Sequence, residues 1–387
     1  MKKKVAIFGS TGSIGVQTLE VIQQQNEHFE VEVLTAFENA VLLIRQSQKF
    51  RPNVVVIGNE NHYQKVSEAL NPLNIKVYAG AAALEQVTGM DSIDLVVMAI
   101  TGFDALKPLL AALNNKKPVA LANKESLVAA GAWITKIALQ NKVPVIPVDS
   151  EPSAIFQCLA GEFDNPVEKV VLTASGGPFV GKNKDHLHDV SPEEALKHPV
   201  WNMGRKTSID SASLMNKGLE AIEIKWLFDL KPEQIEVLIH PQSIIHSLVY
   251  FTDGSVKAQL ATTDMRIPIQ YALSYPERFT NKLERLDLTQ IGNLSFEHPD
   301  MKKFRNLALA FDALKKGGNM PCILNAANEL AVQAFLRKQI GFMQIPEVVA
   351  HCMQNLPFIQ SPVLEDYFKT DALCRVRAHE FITKTLH

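Results

Sequence analysis

A glycine-rich turn near the N-terminus has the residue types and the spacing of a phosphate-binding loop. The motif Gly9-Ser10-Thr11-Gly12-Ser13-Ile14-Gly15 follows an apolar run at residues 5–8 and overlaps the start of a helical pattern at 14–25. Glycine allows a tight turn and a close approach of a pyrophosphate, and a helix N-terminus offers free N–H groups to the anion. The GxxGxxG spacing is related to the dinucleotide-binding fingerprint. The motif therefore predicts a dinucleotide site; the alternative is a purely structural turn.

The residues after the second predicted strand bear on the choice of dinucleotide. They read Ala36-Phe37-Glu38-Asn39. An acidic side chain at this position usually accepts a hydrogen bond from the ribose 2′-hydroxyl, whereas a basic one accommodates a 2′-phosphate. Taken alone, Glu38 favours NAD over NADP. The alternative is that Glu38 is simply a solvated surface residue.

A polar motif follows the predicted strand at residues 119–122, at the edge of the sheet where ligands bind. Lys124 can neutralise an anion or polarise an oxygen, and Asn123 and Glu125 can hydrogen-bond a nicotinamide ribose. The alternative is an ordinary helix N-cap and first turn, where Asn and Glu are common.

Two carboxylates, Asp149 and Glu151, flank Ser150 at the end of the predicted strand at residues 143–148. In an extended backbone, residues two apart point to the same side, so these carboxylates would converge. Converging carboxylates repel each other unless a cation lies between them, and oxygen ligands suit Mg²⁺ or Mn²⁺. The pair predicts a metal site; the alternative is a solvated acidic loop.

The segment at residues 210–220 adds a third carboxylate. On a helix, Asn216 and Lys217 share a face with Glu220, which would present an amide, an ammonium and a carboxylate together. Ser211 can cap the helix or bind a phosphate oxygen. The alternative is a capped surface helix with an ordinary ion pair.

The stretch from residue 175 to residue 205 is predicted to be a mobile loop, apart from a capping box at 191–194. Ser175 and the two glycines after it offer a hydroxyl and N–H groups to an oxyanion. A Trp in a polar loop is costly to leave exposed, so we expect Trp201 to close over a ligand, next to His198 and the flexible Gly204. The alternative is that Trp201 anchors the loop against the core.

His240 and His246 lie on or beside predicted strands. Their spacing fits no metal-binding template. We therefore expect them to be core or interface histidines rather than ligands.

The elements that must position these motifs alternate along residues 1–149. Short β-branched runs separated by helical stretches predict an α/β fold with an N-terminal Rossmann-type parallel sheet, covered on both faces. Residues 150–275 read as a central α+β catalytic domain with a lid at 175–205 and three antiparallel strands at 236–239, 244–251 and 255–261. Residues 276–300 are predicted to be a connector, and 301–387 a C-terminal helical domain.

Composition excludes several classes of protein. The 387 residues include 39 Lys and Arg against 41 Asp and Glu, so a net charge of -2 provides no basic field for nucleic acid or an anionic membrane. No apolar run has the ~18–20 residues of a transmembrane helix, and the apolar part of the first nine residues is too short for a signal peptide. The four cysteines lack CxxC spacing, which is typical of reduced thiols in a cytoplasmic protein.

Taken together and in this order, the motifs closely resemble the 1-deoxy-D-xylulose 5-phosphate reductoisomerase family, the second enzyme of the methylerythritol phosphate route to isoprenoids. The resemblance extends from Val5 through the C-terminal helices. It rests on the motifs at residues 9–15, 121–126, 149–151, 175–179, 201–205, 215–220 and 240–243.

The resemblance implies an NADP-binding Rossmann domain, a central catalytic domain with a lid and a C-terminal helical domain, usually in a homodimer. It implies a divalent metal ion, Mg²⁺ or Mn²⁺, held by Asp149, Glu151 and Glu220. Substrate contacts carry over to Lys124, Ser150, Ser175, His198, Ser211, Asn216 and Lys217, and the predicted catalytic set adds Glu151, Trp201 and Glu220. Contacts with NADPH carry over to Thr11, Gly12, Ser13, Ile14, Asn39, Asn123, Glu125 and Gly204.

The implied reaction is a metal-dependent rearrangement of 1-deoxy-D-xylulose 5-phosphate, followed by NADPH-dependent reduction to 2-C-methyl-D-erythritol 4-phosphate. Our hypothesis is that the carbon skeleton breaks and rejoins by a retro-aldol/aldol sequence or an α-ketol shift, while a metal ion stabilises charge on the substrate oxygens. Hydride then reduces the aldehyde. One rival function is a nucleotide-binding protein without catalysis, which would not need the three carboxylates. A nearer rival is a metal-independent semialdehyde dehydrogenase.

The chain departs from the family pattern at two places. Phe37-Glu38 stands where the family usually has Gly and a basic residue, and Pro152 follows Glu151 where the family usually has His. The first departure concerns the contact with the 2′-phosphate, and the second removes an imidazole from the metal-site motif.

Overall fold

The computed structural model describes residues 1–162, 164–201 and 203–385, and the chain forms two compact units. Unit 1 comprises Met1–Ser126, Trp133–Ser153 and Asp264–Leu283. Unit 2 comprises Leu127–Ala132, Ala154–Thr263 and Glu284–His387. Among the described residues, no helix is both long enough and apolar enough to cross a membrane.

The strands belong to two sheets, one in each unit. In chain order they are β1 Lys3–Phe8, β2 Phe29–Ala36, β3 Val54–Ile57, β4 Lys76–Ala79, β5 Leu95–Met98, β6 Val119–Leu121, β7 Val145–Pro147, β8 Val167–Ala174, β9 Ile235–Ile239, β10 Ile245–Phe251 and β11 Val256–Leu260.

The helices connect and cover these strands. In chain order they are α1 Ser13–Gln24, α2 Ala40–Phe50, α3 Tyr63–Leu70, α4 Ala81–Gln86, α5 Leu106–Asn114, α6 Lys124–Asn141, α7 Ser150–Leu159, α8 Pro192–Ala195, α9 Arg205–Ala212, α10 Met215–Leu227, α11 Arg266–Ser274, α12 Leu288–Ile291, α13 Arg305–Lys316, α14 Met320–Leu336, α15 Ile345–Asn355 and α16 Leu364–Thr385.

The sheet of unit 1 is parallel throughout, with strand order β4-β3-β2-β1-β5-β6-β7. Its central strands are buried along almost their whole length, because helices cover both faces of a parallel sheet. The predicted Rossmann-type sheet is therefore confirmed. Sequence analysis missed β4, in which only Val77 is buried; a short edge strand carries little of the apolar signal that identifies a buried one.

The sheet of unit 2 has the order β11-β10-β8-β9 and is mixed. Strand β10 runs antiparallel to β11, as predicted, and it also runs antiparallel to β8. Strand β9 was expected to be antiparallel as well, but it pairs with β8 in parallel. The chain between β8 and β9 contains α8, α9 and α10, and a helical crossover of this kind returns the chain in the same direction.

The C-terminal helices α13–α16 belong to unit 2 and form one apolar core with α9, α10 and the mixed sheet. Helices α10 and α13 pack closely at Gly218, where a Cβ would overlap the Cβ of Ala310. The predicted helical C-terminal domain is confirmed as a structure. It shares its core with the segment predicted to be catalytic.

The segment Asp264–Leu283 groups with unit 1, so the compact units do not coincide with the domain limits predicted at residues 149, 275 and 300. Hydrogen bonds to the start of the chain explain the difference. The Lys3 ammonium donates to the carbonyl of Leu273 over 2.8 Å, and the Gln25 amide donates to the carbonyl of Thr280 over 2.6 Å. Contacts this distant in sequence are invisible to local composition.

His240 is a buried core histidine, as expected, and its ring holds three backbone groups of unit 2. Nδ1 lies 3.0 Å from the carbonyl oxygen of Ser295, and Nε2 accepts from the N–H groups of Ile244 and Ile245 over 3.2 Å each. Replacing His240 by Leu leaves these groups unpaired. We expect the free energy of unfolding in urea to fall by about 2–4 kcal/mol. An unchanged value would contradict this role.

Candidate active site

The glycine-rich loop connects β1 to α1 at the point where the strand order of unit 1 reverses. Gly9 has φ +88°, and a Cβ there would lie 2.7 Å from the carbonyl oxygen of Ala99. A Cβ at Gly15 would overlap the carbonyl oxygen of Gly9. Gly12 and Ser13 are exposed at the start of α1. The N-cap is Gly12, which has no side chain with which to cap the helix. The loop therefore has the close packing and the exposed helix N-terminus that a pyrophosphate needs.

The end of β2 lies beside this loop. The N–H groups of Gly9 and Ser10 donate to the side chain and the carbonyl of Thr35 over 3.0 and 2.8 Å. Asn39 caps α2 by accepting from the N–H of Leu42 over 3.1 Å. Glu38 is exposed but is not simply solvated, because Asn59 and His62 contact its carboxylate.

Asn123 is the N-cap of α6, and its side chain accepts from the N–H of Ser126 over 2.9 Å. Its amide also donates to the carboxylate of Glu125 and to the carbonyl of Gly102, over 3.0 Å each. The capping alternative is therefore observed, and the cap fixes the two predicted cofactor-binding side chains against each other. The Lys124 ammonium forms an ion pair with Asp149.

The Asp149–Glu151 motif differs from the predicted extended geometry, because α7 already begins at Ser150. Asp149 is the N-cap, with its carbonyl accepting from the N–H of Ser153 over 2.9 Å. Ser150 donates to the Glu151 carboxylate over 2.6 Å, which fixes its orientation. Pro152 lies in the first helical turn, where its missing N–H has no intrahelical partner to lose. This position explains why proline is accepted after the predicted metal ligand.

On α10 the predicted face is formed as expected. Asn216 donates to the Glu220 carboxylate over 2.5 Å, and the Lys217 ammonium lies 2.6 Å from it. Glu220 is fully buried and Lys217 nearly so. A buried carboxylate requires compensating positive charge, so this face suits a cation or the oxygens of an anion bound beside Lys217.

Ser175 and His198 form a hydrogen-bonded pair in unit 2, with Ser175 Oγ 2.9 Å from Nε2. His198 Nδ1 accepts from the N–H groups of Val200 and Trp201 over 3.2 and 2.8 Å. The ring proton must therefore be on Nε2 and point to Ser175 Oγ. The N–H of Gly177, expected to be open to an oxyanion, also donates to Ser175 Oγ over 3.2 Å. The serine hydroxyl proton is then directed to a further acceptor.

Burial, and then the nearby Lys217 ammonium, lower the pKa of His198 from its ordinary 6.5 to about 4. The unfolded chain therefore binds a proton that the folded chain does not, at any pH between these two values. We expect stability contributed by neutral His198 to be complete above pH 6.5 and to be lost as the pH falls towards 4. In thermal unfolding, His198→Gln should lose less stability over this interval than the unchanged chain. An identical loss in both would contradict the assignment.

Ser211 lies near the end of α9, close to the Ser175 turn. A Cβ at Gly177, which has φ +66°, would lie 2.9 Å from the carbonyl oxygen of Ser211. Asp210 holds the helix in place, because it is buried and contacts Lys206 over 3.0 Å and the amide of Asn328 over 2.7 Å. Sequence analysis missed Asn328, which follows Asp210 by 118 residues and carries no local motif.

The described part of the predicted lid is largely turns and short helices, and Ser191 caps α8 as expected. Trp201 is partly buried, with its ring 6.1 Å from that of His246. Gly204 is the N-cap of α9, and Asn202 lies outside the described residues.

The structure thus gathers the predicted residues into two sets. Unit 1 brings Lys124, Asp149, Ser150 and Glu151 together, beside the Asn123–Glu125 pair. Unit 2 brings Ser175, His198, Ser211, Asn216, Lys217 and Glu220 together. The first set is rich in carboxylate oxygens, and the second combines hydroxyl, amide and ammonium donors that suit a phosphate group.

Comparison with known proteins identifies the family of the chain. Family models described as 1-deoxy-D-xylulose 5-phosphate reductoisomerase and as its C-terminal domain match residues 5–131 and 145–228. A third model, described as the DXP reductoisomerase C-terminal domain, matches residues 260–377.

Relatives of the same name match over nearly their whole length. The chain is 55% identical to 1-deoxy-D-xylulose 5-phosphate reductoisomerase of Bacteroides fragilis over 99% of both chains, and 55% identical to that of Bacteroides thetaiotaomicron over 98% of both. Among solved structures, the Zymomonas mobilis enzyme in complex with NADPH superposes with a TM-score of 0.93, at 40% identity and 100% coverage of both chains. A DOX-P reductoisomerase in complex with NADPH, fosmidomycin and magnesium gives a TM-score of 0.94, at 39% identity and 98% coverage of both. The chain therefore belongs to the 1-deoxy-D-xylulose 5-phosphate reductoisomerase family.

Proposed function

We propose that the chain converts 1-deoxy-D-xylulose 5-phosphate into 2-C-methyl-D-erythritol 4-phosphate, in isoprenoid precursor biosynthesis. It is an NADP-dependent oxidoreductase of its family and needs a divalent metal ion. The observation that carries the residue-level proposal is the set of donors in unit 2, where Ser175, His198 and Lys217 lie together. A purely structural cluster would not require a serine hydroxyl directed away from both of its donors.

We propose that Asp149, Glu151 and Glu220 hold one Mg²⁺ or Mn²⁺ ion. Three carboxylates form the hard-oxygen set that these ions prefer, and the burial of Glu220 suits a charge that is neutralised when the site is loaded. When bound, the cation stabilises negative charge on the substrate oxygens, and NADPH supplies the hydride that reduces the aldehyde. Ser150 keeps the Glu151 carboxylate in one orientation, and Lys124 adds a positive charge beside Asp149.

The substrate phosphate is proposed to bind in unit 2. Ser175 and Ser211 donate hydroxyl hydrogen bonds to it, Asn216 donates its amide, and Lys217 supplies the charge. Binding the remote phosphate positions the reacting carbons and so contributes to the rate. We propose that Trp201, whose N–H donates to His198 Nδ1 within the lid at 175–205, covers the substrate and excludes water.

The cofactor is proposed to bind unit 1, with a further contact from the lid. Thr11, Gly12, Ser13 and Ile14 surround the exposed start of α1, where N–H groups meet the pyrophosphate. Asn39, Asn123 and Glu125 would contact the ribose and nicotinamide parts, and Gly204 would approach the cofactor from the lid.

A steady-state assay tests the reaction and separates its rivals. With 1-deoxy-D-xylulose 5-phosphate, NADPH and Mg²⁺, we expect NADPH oxidation at 340 nm and formation of 2-C-methyl-D-erythritol 4-phosphate. Treatment with EDTA should abolish both, and Mg²⁺ should restore them. Oxidation that persists in EDTA would support a metal-independent dehydrogenase. Cofactor binding without turnover would support a nucleotide-binding protein.

We also propose that the protein is a cytoplasmic homodimer with the three functional domains predicted above. The outer strand β11 has an exposed edge that a second copy could cover, and Val256 on it is exposed. The four free, buried cysteines suit a reducing compartment. Light scattering after size-exclusion chromatography should give twice the mass of one chain; the mass of a single chain would contradict the dimer.

A further inference from the structure

The end of β2 and the end of β3 carry a polar cluster that the proposed reaction does not use. The amide of Asn59 donates to both oxygens of the Glu38 carboxylate, over 3.0 and 3.1 Å. The Nε2 atom of His62 lies 3.1 Å from the second of these oxygens. Among the described residues, the side chains of Asn59 and His62 contact the Glu38 carboxylate. The cluster is exposed, with 61% of the Glu38 side chain accessible.

The position of the cluster is that of a ribose-binding residue. Thr35 at the end of β2 accepts from the N–H groups of Gly9 and Ser10 in the glycine loop, and Glu38 follows Thr35 by only three residues. In a dinucleotide fold, a carboxylate at this place reads the 2′ position of the adenosine ribose. Asn59 is brought alongside by the backbone, because its N–H donates to the carbonyl of Phe37 over 3.0 Å.

An exposed aromatic ring lies next to the cluster. Phe37 is 66% exposed, and its ring rests on Gly58, where a Cβ would overlap it. A flat apolar surface beside a ribose-reading carboxylate suits an adenine base, which can stack on it. The aromatic ring and the polar cluster together have the chemistry of an adenosine site.

A free carboxylate at this place would oppose the cofactor of this family. Carboxylate and 2′-phosphate are both negative and repel each other, whereas the carboxylate accepts well from a 2′-hydroxyl. A carboxylate has about four acceptor positions, and Asn59 and His62 occupy three of those on Glu38. These contacts with Asn59 and His62 therefore hold the carboxylate towards β3 and leave it little capacity to accept a hydrogen bond from the ribose.

We propose that Glu38 sets the preference between NADPH and NADH in this chain, and that Asn59 and His62 make the site tolerant of a 2′-phosphate by holding the Glu38 carboxylate. Asn59 and His62 act as positioning residues. The proposal rests on the proposed use of NADPH, but it concerns binding at the adenosine end and not the reaction at the nicotinamide.

The test measures dissociation constants for NADPH and NADH from nicotinamide fluorescence, without substrate or metal. Glu38→Gln keeps an acceptor for Asn59 and removes the charge. It should bind NADPH about fivefold more tightly, since one Coulomb repulsion in water at contact is of this size, and bind NADH nearly as before, because Asn59 and His62 already hold the carboxylate away from the ribose. Asn59→Ser, which keeps a capping oxygen for the next turn, should bind NADPH about fivefold more weakly and leave NADH nearly unchanged.

A double-variant comparison decides between two roles for Asn59. In the Glu38→Gln background, Asn59→Ser and His62→Gln should no longer weaken NADPH binding, because no charge remains to be held. Equal weakening in both backgrounds would mean that these side chains bind the phosphate themselves, and it would overturn the proposal. An equal change for NADPH and NADH in Glu38→Gln would overturn it as well.

A control variant and the pattern of dinucleotide binding distinguish failure of this proposal from failure of the proposed function. Glu27→Gln removes an exposed charge before β2, at the opposite edge of the same sheet, and should change neither dissociation constant. If neither the unchanged chain nor any variant binds NADPH or NADH, the proposed function itself is contradicted. If both bind but Glu38 has no effect on their ratio, only the present inference fails.

Discussion

Replacing Glu151 by Gln should lower kcat by about 10³-fold, because stabilisation of substrate charge by a bound metal ion is worth several kcal/mol. The substitution keeps the shape of the side chain and its hydrogen bond from Ser150, but it removes one of three proposed anionic ligands. Binding of Mn²⁺, followed by electron paramagnetic resonance, should weaken in parallel. Binding of NADPH should be retained, since the glycine loop is unchanged.

A matched control separates loss of the ligand from loss of a helix-terminal charge. Glu347 lies in the first turn of α15, beside a proline, as Glu151 lies in the first turn of α7. Glu347→Gln removes the same favourable interaction with the helix dipole and should leave kcat unchanged. Full turnover of 1-deoxy-D-xylulose 5-phosphate by Glu151→Gln would refute the metal-carboxylate hypothesis.

Replacing Gly15 by Ala should weaken NADPH binding by about 10²- to 10⁴-fold, because two hydrogen bonds to a charged group, each worth roughly 1.5–3 kcal/mol, would be lost. The new Cβ would overlap the backbone of Gly9 and Ser10, so the turn must open and its N–H groups must leave their places. Fluorescence titration of NADPH measures the effect. The melting temperature, recorded in parallel, shows whether unit 1 still folds.

Substitutions at two other glycines provide a comparison for the effect of Gly15→Ala on NADPH binding. Gly89→Ala places a Cβ in ordinary contact with Asn115, 3.6 Å from its amide nitrogen, and should not change NADPH binding. Gly12→Ala is intermediate, because its Cβ would lie 3.4 Å from the Gly9 carbonyl oxygen. A Gly15 variant that binds NADPH as tightly as the Gly89 variant would contradict the assignment of the loop.

The sequence predicts those parts of this molecule that depend on short stretches of chain. The glycine loop, the strand ends that carry Asn123 and Asp149, and the face of α10 with Asn216, Lys217 and Glu220 follow from spacing and periodicity. Asn216, Lys217 and Glu220 share a face of α10 as predicted, because five consecutive residues of one helix determine that arrangement.

Features that depend on distant residues could not be predicted in this way. The parallel pairing of β9 with β8, the place of Asp264–Leu283 in unit 1 and the hold of Asn328 on Asp210 each join segments far apart in sequence. The Asp149 motif shows a different limit. Only Val148 and Asp149 separate β7 from α7 there, and the hydrophobic pattern does not indicate on which side of that boundary the carboxylates lie.

The close crossing of α10 and α13 at Gly218 connects the C-terminal helices with the proposed roles of Lys217 and Glu220, although no predicted site residue lies on those helices. Gly218 follows Lys217 directly and precedes Glu220 by two positions, so the separation of α10 from α13 determines where both charged side chains lie. A change in the packing of α10 against α13 would therefore move Lys217 relative to the phosphate that it is proposed to bind. A bulkier residue in place of Ala310 would displace Lys217 from the opposite face of α10, without changing any side chain that is proposed to take part in the reaction.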